Sequence, residues 1–183
     1  MARTKAEWRL WATDIQPATD IESQTVCAVV AEALRRESIG VVLSFLAMPG
    51  EIDLACLHND LSLVLGVTRT PPTGPLTIHR LDGPMESHPL GYLQPTAGAE
   101  LMDPGGIEAV LVPGVLFSNE GGRLGHGRGY YDQLLSDLPG RPRLIGITVD
   151  RRVVDDLPMT ENDVWMDAIA TESGYREIGG GKT

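Results

Sequence analysis

Gly121-Gly122-Arg123-Leu124-Gly125-His126-Gly127-Arg128-Gly129 follows an apolar stretch, Ile107 to Val112, that Pro113-Gly114 breaks, and leads into Tyr130-Tyr131-Asp132-Gln133-Leu134-Leu135. The first flank reads as a strand and the second as a helix. That unit of strand, glycine loop and helix decides the fold class, because α/β proteins with a mainly parallel sheet are built by repeating it. It also points to a chemistry. Backbone N–H groups and the helix dipole at such a junction favour an anion, and glycines let the backbone approach it closely. Two arginines and a histidine are interleaved, so the loop is locally cationic. A plain turn-rich connector is the alternative reading. The spacing fits neither a Walker A loop, which needs Lys-Ser/Thr, nor a G-x-G-x-x-G fingerprint.

Working outward, Val41 to Leu46 is an apolar run short enough for a buried strand of a parallel sheet. Ahead of it, Thr19 and Glu22 form a capping-box pattern. Val26, Val29, Val30, Ala33 and Leu34 then recur at helical spacing until Gly40. After Met48-Pro49-Gly50, the spacing of Leu54, Leu57, Leu61 and Val64 or Leu65 predicts an amphipathic helix over Ile52 to Leu65, ending at Gly66. A short helix is expected from Lys5 to about Ile15, with Lys5 and Arg9 projecting from one face. Between Gly66 and Gly106, seven prolines preclude long helices and only Leu76 to Leu81 alternates as a strand. Arg143 to Val149 and Trp165 to Ala170 supply further strands.

The 183 residues, 42% apolar and 22% charged, suit one domain, expected over 1–178, with a flexible tail at 179–183. The tail's Gly179-Gly180-Gly181-Lys182-Thr183 resembles the end of a P-loop, but Arg176 stands where its first glycine belongs. The formal charge of -10 argues against nucleic acid as a partner. No apolar run approaches the roughly 18–20 residues that cross a bilayer, and no secretory h-region follows the N-terminus, so a cytoplasmic chain without membrane contact is expected. Cys27 and Cys56 lack C-x-x-C spacing and read as reduced core residues.

A longer pattern carries a resemblance. Leu111-Val112-Pro113-Gly114-Val115-Leu116-Phe117, then Gly122-Arg123-Leu124-Gly125, then Gly127-Arg128-Gly129-Tyr130-Tyr131-Asp132 resembles the 5-formyltetrahydrofolate cyclo-ligase family. Two further segments agree in order: Phe45-Leu46-Ala47-Met48 with Glu51-Ile52-Asp53, and Leu157-Pro158 with Glu161-Asn162-Asp163 and Asp167 beyond. The similarity spans about residues 41–174. Lys5 and Arg9 resemble the family's N-terminal basic helix less specifically.

The resemblance implies a three-layer α/β/α fold with a mainly parallel sheet, of the NagB/RpiA/CoA-transferase kind. It implies an enzyme that uses ATP and Mg2+ to convert 5-formyltetrahydrofolate to 5,10-methenyltetrahydrofolate. Such phosphoryl transfer asks a protein chiefly for positioning and charge compensation, consistent with a chain that shows no triad. The alternative is a catalytically inactive relative that binds nucleotide or folate. The partner is a small reduced formylfolate, and the expected state is a monomer or small homo-oligomer.

Under this resemblance, Arg123, Gly125, Gly127, Arg128 and Gly129 cradle the triphosphate, with His126 as a further phosphate contact. Lys5 and Arg9 clamp it from another side; a solvated basic face is their other reading. Asp132 is the first metal ligand, or else a dipole-favoured acid in a first helical turn, and Asp163 a second carboxylate unless Asn162-Asp163 is simply a turn. Tyr130 and Tyr131 offer rings for stacking and hydroxyls for orientation, one facing ligand while the other packs. Arg123, Tyr131 and Asp132 form the catalytic set. Glu51 receives the donors of the pterin's amino-pyrimidinone edge, a helix-start acid being its other reading, and Leu46 and Met48 form an apolar wall unless they are simply core packing. His58, His79 and His88 read as structural. Gln133 and Gln94 stand where Arg and Glu are frequent in the family.

Overall fold

The computed structural model describes residues 3–179, so the tail expected at 179–183 lies, apart from Gly179, outside the described residues. In chain order the elements are α1 (Lys5–Ala12), α2 (Asp20–Arg36), β1 (Val41–Ser44), β2 (Val64–Arg69), β3 (Thr77–Arg80), β4 (Met85–Ser87) and β5 (Leu93–Pro95). Then come β6 (Ala109–Pro113), β7 (Leu116–Ser118), β8 (Arg123–Leu124), α3 (Tyr130–Asp137), β9 (Arg143–Ile147), β10 (Val153–Val154), β11 (Ala168–Thr171) and β12 (Gly174–Glu177).

Seven strands form the main sheet in the order β12-β11-β9-β6-β1-β2-β3. The pairs β1–β2, β1–β6, β6–β9 and β9–β11 are parallel, whereas β3 and β12 are antiparallel edges. Side chains alternate across it, as a pleated strand dictates. Val42, Leu111 and Ile145 join Val26, Val30 and Leu34 of α2 in the core on one face. Leu43, Val110, Val112 and Leu144 join Phe117 and Leu134 and Leu135 of α3 on the other. The chain leaves β1 toward β2 and β3, then returns on the other side through β6. This reversal opens a crevice at the carboxyl ends of β1 and β6, where α/β sheets place ligands.

Both N-terminal helices begin with reciprocal capping boxes, Thr4–Glu7 and Thr19–Glu22. On α1, Trp8 and Trp11 meet edge to face with centroids 5.2 Å apart. Among the described residues no helix is long and apolar enough to cross a membrane.

Three expectations are corrected. The helix over Ile52 to Leu65 does not form. Ile52, Leu54 and Leu57 are buried, but Leu61 is fully exposed, the segment holds only a 3-10 turn at Ala55–Asn59, and Val64 already begins β2. Gly66 is a residue of β2 rather than a helix stop, and a Cβ there would run into Met102 Sδ. The nine-residue glycine loop is really two features. Gly121 and Gly122 turn the β7–β8 hairpin, Arg123 and Leu124 are β8, and only residues 125–129 form the loop before α3. Finally, Cys27 and Cys56 are joined in a disulfide across 29 residues, tying α2 to the 3-10 turn. No local spacing announces a pairing made by tertiary packing, and such bonds are rare in the cytosol for which reduced thiols were expected.

Candidate active site

A cleft of about 1730 Å³ opens where β1, β2 and β6 end, and every site residue proposed from the sequence lines it. One side is built by the loop 125–129. Gly129 caps α3 with a left-handed backbone and no side-chain capping bond, so the helix presents its first N–H groups toward the loop. Gly127 has φ of +94°, and a Cβ there would meet Arg9 Cζ at 3.2 Å. Arg9 is this close because its Nε donates to the Gly125 carbonyl at 2.8 Å. His126 and Arg128 are exposed on the same loop.

Lys5, one turn before Arg9 on α1, donates from Nζ to both oxygens of Asp163 at 2.6 and 2.5 Å. Asp163 also accepts from the N–H of Thr160 at 2.6 Å and its hydroxyl at 2.8 Å. Burial pushes the Asp163 carboxyl up, but the Lys5 and Thr160 donors outweigh it and hold it below its usual range. The two proposed metal carboxylates have different partners, since Asp132 accepts from Arg123 Nη2 at 3.1 Å. Among the described residues no group of three or more His, Cys, Asp or Glu is gathered as a ready-made metal cage.

Arg123 is only 5% exposed. Its Nη1 donates to the Pro113 carbonyl at 3.2 Å, and its guanidinium lies 5.5 Å from the Tyr131 ring centre. Nε is buried without a partner. Both Tyr130 and Tyr131 line the cleft and both pack on the core. Burial raises the Tyr131 phenol above the ordinary tyrosine range, against the opposing hydrogen bond with Thr68.

The other side begins with the turn after β1. Glu51 Oε2 accepts from the Met48 N–H at 3.0 Å, and Glu51 N–H donates back to the Met48 carbonyl at 3.0 Å. Its Oε1 lies 3.6 Å from His126 Nε2, linking this turn to the glycine loop. Leu46 and Met48 are half-buried on the wall. The sequence reading missed the polar groups beyond them: Thr68, Arg69 and Thr70 from the end of β2, and Glu86, Tyr92 and Gln94 from the β4–β5 hairpin. Their one sequence signal was the departure at Gln94. His88, read as structural, stacks on Tyr92 at 4.3 Å and also lines the cleft. His79 is a buried structural histidine, its ring nitrogens bonded to Thr77 and to the Ala99 carbonyl.

Residues 15–172 match the model of the 5-formyltetrahydrofolate cyclo-ligase family. The chain belongs to that family. Among relatives of this cyclo-ligase family, the 5-formyltetrahydrofolate cyclo-ligase of Mycolicibacterium smegmatis is 26% identical over 151 residues, 82% of this chain and 75% of that protein. A probable 5-formyltetrahydrofolate cyclo-ligase of Caenorhabditis elegans is 37% identical over 73 residues, 37% of this chain and only 35% of its own length. The 5,10-methenyltetrahydrofolate synthetase of Aquifex aeolicus has the same fold, with TM-score 0.80 and 24% identity over 98% of this chain and 95% of that one. The cleft is therefore a feature of a cyclo-ligase-family chain.

Proposed function

We propose that the cleft binds ATP with Mg2+ on its glycine-loop side and 5-formyltetrahydrofolate on its Glu51 side, and forms 5,10-methenyltetrahydrofolate, ADP and phosphate. The observation that carries this reading is the convergence on one cleft of a cationic glycine loop at a helix start and, 3.6 Å from that loop's His126, a carboxylate beside an apolar wall. With helices packed on both faces of the sheet, the layering proposed is that of the NagB/RpiA/CoA-transferase group.

The formyl oxygen of an amide is a poor leaving group. In the proposed reaction it attacks the γ-phosphorus, ADP departs, and an imino-phosphate results. The N10 amine then bonds to the activated carbon, phosphate leaves with that oxygen, and the N10 proton is lost as the five-membered ring closes. The protein's part is to orient and to compensate charge. Loop 125–129 and the first amides of α3 receive the phosphates, Arg9 fixes the loop from below, and Lys5 and Arg128 add positive charge. Arg123 stands beneath the loop and orients Asp132. Asp132 suits Mg2+ carried on phosphate oxygens, which needs only one or two protein carboxylates; the ion would neutralise charge on the transferring group. Asp163 is the second proposed carboxylate, at the cost of its pair with Lys5. Glu51 accepts from the pterin edge, with Tyr131 beside it.

The test follows the absorbance of the methenyl product with protein, ATP, Mg2+ and 5-formyltetrahydrofolate. ATP-dependent product is expected. Folded protein that binds both ligands without making product would instead be the inactive relative.

A further inference from the structure

Part of the folate side of the cleft is a wall that no strand ladder ties to the main sheet. β4 and β5 pair only with each other, three residues each, and a lone hairpin of that size is marginal in water. Glu86, Tyr92 and Gln94 on this hairpin nevertheless line the cleft, while Leu90 and Leu93 stay exposed.

Side chains at the end of β2 supply the anchorage. Arg69 is 8% exposed, and its Nη1 donates both to Glu86 Oε1 and to the Pro95 carbonyl, each at 2.5 Å. Gln94, the cross-strand neighbour of Glu86, donates from Nε2 to the same Oε1 at 3.0 Å. Its own Oε1 accepts from the Thr70 N–H at 3.2 Å. Thr70 Oγ1 in turn lies 3.3 Å from the Tyr92 hydroxyl. A buried guanidinium requires its partners, and breaking one side of such a pair is costlier than the pair is worth. The hairpin is thus held by one cation acting on both of its strands.

We propose, on the folate reading above, that Arg69 is a positioning residue: through Glu86 and Gln94 it clamps the Met85–Pro95 hairpin to β2 and holds Tyr92 and the apolar tip against the aromatic part of the substrate. Aromatic and aliphatic surface of this kind takes a flat aryl group. Gln94 preserves the clamp without a second carboxylate, because its amide both donates to Glu86 and accepts from Thr70.

The experiment uses the full chain and the variants Glu86→Ala, Glu86→Gln and Arg69→Met. Affinities for 5-formyltetrahydrofolate and for ATP with Mg2+ are measured separately, alongside amide hydrogen exchange over residues 85–95. Glu86→Ala and Arg69→Met are expected to weaken folate binding tenfold or more, leave ATP within twofold, and speed hairpin exchange at least tenfold. Glu86→Gln, which keeps the acceptor, should stay within threefold of the native protein. Unchanged folate affinity in folded Glu86→Ala, or equal loss of both ligands, overturns the proposal. Native protein that binds no 5-formyltetrahydrofolate would sink the folate reading instead, and hairpin exchange in Glu86→Ala, half-exposed at that side chain and so tolerant of truncation, still decides whether the clamp exists.

Discussion

Arg123 and Asp132 are joined across the glycine loop, Nη2 to Oδ1 at 3.1 Å, so that a strand and the helix after the loop share one charge pair. The arginine is almost wholly buried while the aspartate is a quarter exposed to the cleft. On the proposed reaction, Asp132 therefore has two tasks that substitution separates. Asp132→Asn keeps an acceptor for Arg123 and should stay folded while kcat falls roughly 100-fold, the loss typical of a group that stabilises developing charge. Asp132→Ala strands the buried guanidinium and should also cost about 3 kcal/mol in chemical denaturation. An unaltered kcat/KM in Asp132→Asn removes the residue from the mechanism.

Glu51 sits in a closed Met48–Glu51 turn and reaches His126 with its second oxygen. On the proposed folate reading, Glu51→Gln keeps the turn's acceptor but loses the charge-assisted bonds to the pterin edge, worth about 1.5–3 kcal/mol. Folate affinity should drop about tenfold or more and ATP affinity hardly at all, as equilibrium titration of each ligand will show. Equal weakening of both recasts the residue as a structural acid.

Glu22 lends the fold an acid-sensitive component. The Arg151 side chain, then the Thr19 N–H, lower its carboxyl from 4.5 to about 2 against opposing burial. A carboxylate depressed in the folded state stabilises above its unfolded value, and that stabilisation is lost as pH falls from about 4.5 toward about 2. Urea midpoints at neutral pH, pH 4 and pH 2.5 should fall less steeply for Glu22→Gln than for the native chain. Parallel slopes would detach the effect from Glu22.

The Cys27–Cys56 bond closes a loop across 29 residues, and loop-closure entropy assigns such a link about 3–4 kcal/mol. Reductant should lower the denaturation midpoint accordingly and leave Cys56→Ser insensitive to reductant. Two thiols titrating in native, unreduced protein would show that the bond is absent.

Much of the scaffold was legible because local chemistry and tertiary structure agree there. The Thr19–Glu22 box starts α2, and the apolar runs at Val41, Ile107, Arg143 and Trp165 each overlap a strand of the sheet. Reading failed where packing overrides period. Leu54 and Leu57 are buried by contact with α2 rather than by belonging to one helical face, and Leu61 turns to solvent. The cleft residues of the glycine loop were visible as a contiguous motif. Arg69, Glu86 and Gln94 were not, since they meet only through a hairpin whose short strands and prolines carry no periodic signal. Arg123 was visible as a cation, but only the fold shows that it faces Asp132 and Pro113 rather than open loop.

α1 is held at both ends of its cationic face, by Asp163 at Lys5 and by the Gly125 carbonyl at Arg9. It also carries Trp8 and Trp11, two of the three tryptophans in the chain. On the proposed function, the protein thereby contains an intrinsic optical reporter of its nucleotide side. Emission should respond when ATP with Mg2+ draws on Lys5 and Arg9, and should be nearly silent to folate alone, so the order in which the two ligands arrive can be followed without any label.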